Sequence, residues 1–131
     1  MSDGSQKPPH RIRIHAAWER VEIDADGNLS EPRRVILPDS SQVNPTTCRL
    51  LYTRKFNSPT GLQASDRVVL HCELLAIANQ ASLNQMLLPS ETPSGNIDIM
   101  PMLLNSNELV IEIAADRFAS ISNSTAYLMI H

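Results

Sequence analysis

The groups in this 131-residue chain able to do acid–base, nucleophilic or metal chemistry are fourteen Asp and Glu, four His and two Cys, and their spacing organises none of them into a reacting set. His10, His15, His71 and His131 are dispersed, without the His-x-x-x-His repeat that places two imidazoles on one metal. His71 sits beside Cys72, but neighbours on a strand point to opposite faces, so the two make no nucleophile–base pair. There is no Gly-x-Ser-x-Gly elbow, and four glycines supply no loop to cradle a phosphate. No spacing singles out a pair of carboxylates. The sequence therefore predicts no catalytic residue, no cofactor and no metal.

The nearest approach to a metal loop is Glu22-Ile-Asp24-Ala-Asp26-Gly27-Asn28, which alternates acidic residues and then turns at a glycine, as the first half of a calcium loop does. Its second half fails, because Arg33 stands where a bidentate glutamate would be needed. Asp26-Gly27 reads instead as a bare hairpin turn.

For binding, the informative stretch is Tyr52 to Leu62, YTRKFNSPTGL, a strand of alternating polarity that runs into a proline–glycine turn. Alternation puts Arg54 in phase with Tyr52 and Phe56, on the face assigned to the core. A guanidinium there can meet a carboxylate or a sugar hydroxyl; the plainer alternative is a structural arginine with a packed stem and a head paired at the sheet edge. Arg54, Asn57 and Asn84 are the candidate ligand-binding residues. Asn44, Gln63 and Asn123 are further loop amides, equally at home in ordinary turns. Trp18 would make a sugar-stacking platform, but it lies in phase with Ile12 and Ile14 and is read as core. The five aromatics, Trp18, Tyr52, Phe56, Phe118 and Tyr127, are all expected to be committed to packing.

The elements that must hold these side chains are strands. Residues 1–9 are read as a flexible lead-in, rich in polar residues and proline, and residues 10–131 as one domain. Alternation from Arg11 to Glu19 predicts a half-buried opening strand, continued by Val21 and Ile23 with opposite parity, which a bulge or bend near Glu19 would reconcile. A turn at Asp24 to Asn28, a short return strand closed by Pro38, and strands near 48–56, 67–75, 80–88, 97–104, 107–114 and 126–130 follow. Single helical turns fit near 100–104 and 116–121, and nothing longer. Turn signals every eight to fifteen residues predict an all-β chain, an antiparallel jelly-roll-like β-sandwich of about eight strands. In it the strands 48–56 and 67–75 pair antiparallel or face one another across the core, with Trp18 buried. Cys48 falls in phase with Leu50 and Tyr52, and Cys72 with Val68 and Leu70, so both are expected as free, buried thiols.

Charge narrows the partners. A net charge of -3 with scattered Lys and Arg excludes a nucleic-acid face. With no apolar run of signal-peptide or membrane-span length, the expectation is a cytoplasmic protein without membrane contact, monomeric by default.

The order of motifs carries a resemblance. Ala17-Trp18-Glu19, then Tyr52-Thr-Arg54-Lys-Phe56-Asn57-Ser-Pro59, Arg67-Val-Val-Leu70, Ala81-Ser-Leu83-Asn84, Ile97-Asp98-Ile99 and Asn107-Glu-Leu109-Val-Ile111 resemble galactose-binding-domain-like jelly rolls, in particular the sugar-binding accessory domain of family 2 glycoside hydrolases. The likeness spans residues 12–114. It departs at Gln85, where that family prefers the glycine of an Asn-Gly turn, and the catalytic barrel of those hydrolases has no counterpart in the sequence. The resemblance implies a non-catalytic binding or accessory module with a carbohydrate or a protein as partner; the alternative is a small hydrolase or isomerase with its site in the sandwich concavity.

Overall fold

The computed structural model describes residues 10–89, 95–121 and 125–131. The lead-in at 1–9 and the candidate Asn123 lie outside the described residues. Ten strands alternate with turns: β1 (His10–Arg13), β2 (Trp18–Asp24), β3 (Arg33–Val35), β4 (Thr47–Asn57), β5 (Val68–Cys72), β6 (Gln80–Leu83), β7 (Met86–Leu87), β8 (Asn96–Asp98), β9 (Ser106–Ala114) and β10 (Ala126–Ile130). They form a four-stranded sheet in the order β1-β10-β5-β8 and a six-stranded sheet in the order β3-β2-β4-β9-β6-β7. The described pairings are all antiparallel. Three short 3-10 turns, at Glu73–Ala76, Met100–Met102 and Ala115–Ile121, are the helical elements described, and no helix among the described residues is long and apolar enough to cross a membrane. The chain is an all-β sandwich.

The core lies between the sheets, built by the two-residue period of the strands. β4 turns Leu50, Tyr52 and Phe56 inward, β9 Leu109, Ile111 and Ile113, β5 Val68, Leu70 and Cys72, and β10 Ala126 and Leu128; all are buried. β4 and β5 belong to opposite sheets and face each other across this core, as expected. Trp18 is fully buried, its ring edge-on to Tyr52 at 6.5 Å between centroids.

The strand count exceeds eight because two expected strands are each split. The hairpin at 80–88 breaks into β6 and β7 around Asn84 and Gln85, both at positive φ (53° and 69°). Such a two-residue turn matches strand twist, so the hairpin forms although Gln85 carries a side chain where glycine is less strained. The opening strand breaks at Ala16–Ala17, with Ala17 at φ 62°. Before the break the chain pairs with β10 in one sheet, and after it with β4 in the other. The Trp18 indole N–H donates to the Ile14 carbonyl at 2.6 Å and closes the crossing.

Of the bulge or bend expected near Glu19, the structure has the bend, at Ala16–Ala17, and no bulge at Glu19 itself. The β2/β4 ladder is regular from Glu19 opposite Thr53 to Ile23 opposite Arg49, and the irregularity comes one step later, where Asp24 faces Thr47. Cys48 is the residue skipped. It is exposed, which corrects its assignment to the core: a bulge leaves one residue outside the ladder and cancels the alternation through it. Cys72 is buried as expected, with burial pushing its thiol up to about 12, and both thiols are free.

Candidate functional site

Two arginines face the space between the sheets, and their surroundings differ. Arg20 follows Trp18 by two residues on β2, so the strand period turns it inward, where it is 1 % exposed. Its guanidinium donates to Asp39 Oδ2 at 2.7 Å, to the Gln42 carbonyl at 2.8 Å and to Glu22 Oε2 at 3.3 Å. Asp39, 3 % exposed, also accepts from the Tyr52 hydroxyl at 2.8 Å and from the Ser41 amide at 2.9 Å. Glu22 accepts from the Thr47 hydroxyl at 2.6 Å and the Asn44 amide at 2.9 Å. Burial works against the charge of both Asp39 and Glu22, but the donors outweigh it and hold each carboxyl below its ordinary pKa. Burial likewise disfavours the Arg20 cation, and Asp39 more than restores it. The Tyr52 hydroxyl is pushed up by burial and by the Asp39 charge. This cluster is closed on itself by hydrogen bonds that fasten the loop 39–47 to β2 and β4, while Asp39 and Ser41 also line a cleft of 490 Å³ and Glu22, Asn44 and Thr47 one of 200 Å³.

Arg54 lies on the inner face of β4 in line with Tyr52 and Phe56, as the alternation predicts, and it is half-buried. Its Nη1 donates to the neighbouring Lys55 carbonyl, while its Nε is buried with no partner. Burial lowers its pKa. No carboxylate among the described residues lies within ion-pair distance of it. Arg54 opens onto a cleft of 380 Å³ where β1 of one sheet faces the end of β4 of the other. Apolar Ile12, Ile14, Phe56 and Leu128 line it together with Arg13, Lys55, Asn57 and Ser106. The structure thus brings Arg54 and Asn57 to one cleft.

Asn84 is elsewhere. From the β6–β7 turn its Nδ2 donates to the Met102 carbonyl at 3.0 Å and to Asn107 Oδ1 at 2.9 Å, and its Oδ1 accepts from the Glu108 amide at 2.9 Å. Buried Asn107 donates in turn to the Leu104 and Phe56 carbonyls. Asn84 is a turn residue whose amide is consumed by this clamp. Asn44 is also a local cap, its Oδ1 accepting from the Thr46 amide and hydroxyl. Gln63 is exposed. Asp24 accepts from the Asp26 and Asn28 amides, both at 2.9 Å, so the Asp24–Asn28 turn is a self-satisfied hairpin; among the described residues no cluster is arranged to hold a metal ion.

One aromatic departs from expectation. Tyr127 points outward from β10, stacked on His71 at 4.5 Å between centroids, with the Arg11 guanidinium 4.1 Å from its ring centre. The three residues come from adjacent strands, and Arg13, Tyr127, His71 and Asn96 form one row across the four-stranded sheet. Alternation within β10 puts Tyr127 opposite to Ala126 and Leu128, a signal present in the sequence.

A sandwich of this kind, with its two antiparallel sheets packed over one core, is a jelly-roll-like fold. Comparison with known proteins agrees on the fold. The chain is similar to part of an FMN-binding beta-glucuronidase from Facaelibacterium prausnitzii L2-6 (TM-score 0.63, 18% identity over 93% of this chain and 22% of that one). It is also similar to part of a beta-glycosidase from Bacteroides vulgatus (TM-score 0.64, 15% identity, 92% and 20%). A third likeness is to a Bifidobacterium dentium beta-glucuronidase complexed with coumarin-3-O-glucuronide (TM-score 0.62, 14% identity, 97% and 30%). The chain thus spans less than a third of these glycosidases. No family model and no curated protein matches it.

Proposed function

We propose that the chain is a non-catalytic binding module whose ligand, a carbohydrate, sits in the cleft beside Arg54 and Asn57. The observation that carries this reading is the cleft itself: polar groups and an apolar wall converge there, as in small-molecule sites, which run from about 300 to 1,000 Å³. No Asp, Glu, His, Cys or Tyr lines it, so it offers neither a general base nor a pair of carboxylates. A hydrolase or isomerase site is disfavoured in that cleft; the acids Asp39, Glu22 and Asp24 line other clefts, where Asp39 and Glu22 are held by the Arg20 cluster and Asp24 by its own turn. The likeness to a portion of enzymes named for glucuronides and glycosides supports a sugar as the ligand class. Tyr127, whose face is already covered by His71 and Arg11, is a poor stacking platform.

Affinity is expected to be weak, because each hydrogen bond contributes a net ~0.5–1.5 kcal/mol, and two or three of them leave Kd near ~1 mM. Calorimetry against mono- and oligosaccharides, alongside hydrolysis assays on chromogenic glycosides, tests the proposal. Millimolar binding without turnover supports it. Turnover that survives repurification, or no binding across the panel, overturns it.

A further inference from the structure

We infer that the cleft between β1 and β4 is an anion site, and that its ligand is a carboxylate-bearing sugar whose carboxylate pairs with the Arg54 guanidinium. The inference rests on the binding-module reading and narrows its ligand class.

The argument begins with charge. Three cationic residues, Arg13, Arg54 and Lys55, line the cleft, and no acidic residue does. Lys55 is exposed and stands opposite an acid, Glu108, in the β4/β9 ladder, whereas half-buried Arg54 stands opposite Leu109. Where this chain buries an arginine for structural reasons, at Arg20, it surrounds the guanidinium with two carboxylates and two carbonyls. Arg54 has one carbonyl and, among the described residues, no carboxylate within ion-pair distance. The Nε–H of both arginines is buried without an acceptor, so what sets Arg54 apart is the missing acid, which an anion meeting its terminal nitrogens supplies. The planar guanidinium fork matches the two oxygens of a carboxylate better than it matches a lone hydroxyl.

The rest of the cleft suits a sugar ring attached to that carboxylate. Ile12, Ile14 and Leu128 give apolar lining for the C–H face of a pyranose, and Asn57 and Ser106, also in the lining, carry an amide and a hydroxyl suited to ring hydroxyls. A bare small anion would leave this lining unused.

The test is a heteronuclear NMR titration of the full chain with sodium glucuronate, glucose and sodium acetate, following the amides of Ile12 to Ile14 and the Nε–H of Arg54. Glucuronate is expected to shift these signals and to bind about tenfold or more tighter than glucose, with the advantage lost in Arg54→Gln. Should Arg54→Gln fail to fold, wild-type salt dependence decides: glucuronate affinity should fall with added NaCl while glucose affinity stays flat. Equal affinity for glucose and glucuronate at these residues would overturn the anion inference and leave the binding module standing. Acetate binding as tightly as glucuronate, or glucuronate shifting signals elsewhere only, would also overturn it. Absence of binding by every sugar would remove both readings.

Discussion

Arg20 and Arg54 lie on neighbouring strands, each turned into the sandwich by the two-residue period, yet one is held by two carboxylates and two carbonyls and the other by a single carbonyl. The difference shows what a β-sandwich demands of an inward cation. Desolvation costs several kcal/mol per ion unless charge and hydrogen bonds are supplied, so a fully buried arginine needs its own acid. Arg20 has Asp39 at 2.7 Å and is 1 % exposed. Arg54 lacks an acid and sits where the sheets part, keeping some contact with solvent.

The sharpest way to break this contrast is to remove the acid from the closed site. Asp39→Ala leaves Arg20 buried without its nearest counter-charge and is expected to destabilise the fold by about 3–5 kcal/mol, read as a lowered urea midpoint at unchanged slope. A loss below about 1 kcal/mol would show that Arg20 finds other partners and that the two arginines are less different than they look.

Acid should act on the same site. The carboxyls of Asp39 and Glu22 titrate below their ordinary values, so the stability they confer is complete above an unfolded pKa of about 4 and is lost as the pH falls through their folded values. The melting temperature should therefore hold steady in mildly acidic solution and drop below about pH 4, with a shallower drop in Asp39→Ala. Parallel profiles for the two proteins would assign the acid sensitivity elsewhere.

Smaller effects sharpen the comparison. Tyr52→Phe deletes one donor to Asp39 and should cost about 1.5–3 kcal/mol, the range for a hydrogen bond to a charged group. Arg54→Met, by contrast, removes a cation that has no acid and should leave stability unchanged or raise it by up to about 1 kcal/mol. Denaturant titrations of the two variants side by side measure the asymmetry directly. A loss of more than about 2 kcal/mol in Arg54→Met would make Arg54 a structural residue.

The strand faces were legible in the sequence wherever alternation ran unbroken. Leu50, Tyr52, Arg54 and Phe56 lie on one side of β4 as their spacing requires, and Trp18 is buried as its phase with Ile14 implies. What local pattern could not reveal were events set by distant partners. The Cys48 bulge depends on register against β2, and the closed site joins Arg20 to an aspartate nineteen positions away in a loop. Arg20 has the parity of Trp18, but the more apolar Val21 and Ile23 suggest the opposite face and hide it. The split of the opening strand between two sheets depends on Ala17 adopting a positive φ that alanine gives no reason to expect. Of the candidates, Arg54 and Asn57 share a cleft because β4 carries both to its open end; Asn84 belongs to a turn whose need for its amide appears only once Asn107 is in place.

The first ladder has a mechanical consequence. His10 stands opposite Ile130 at one end of the β1/β10 pairing, and Arg13 opposite Tyr127 at the other. Tension applied between residues 10 and 131 therefore opens that ladder like a zip, one rung at a time, instead of shearing all its rungs together. The module should yield to such tension at low force until β1 has peeled away, after which the load reaches the Trp18–Ile14 link and the rigid six-stranded sheet behind it.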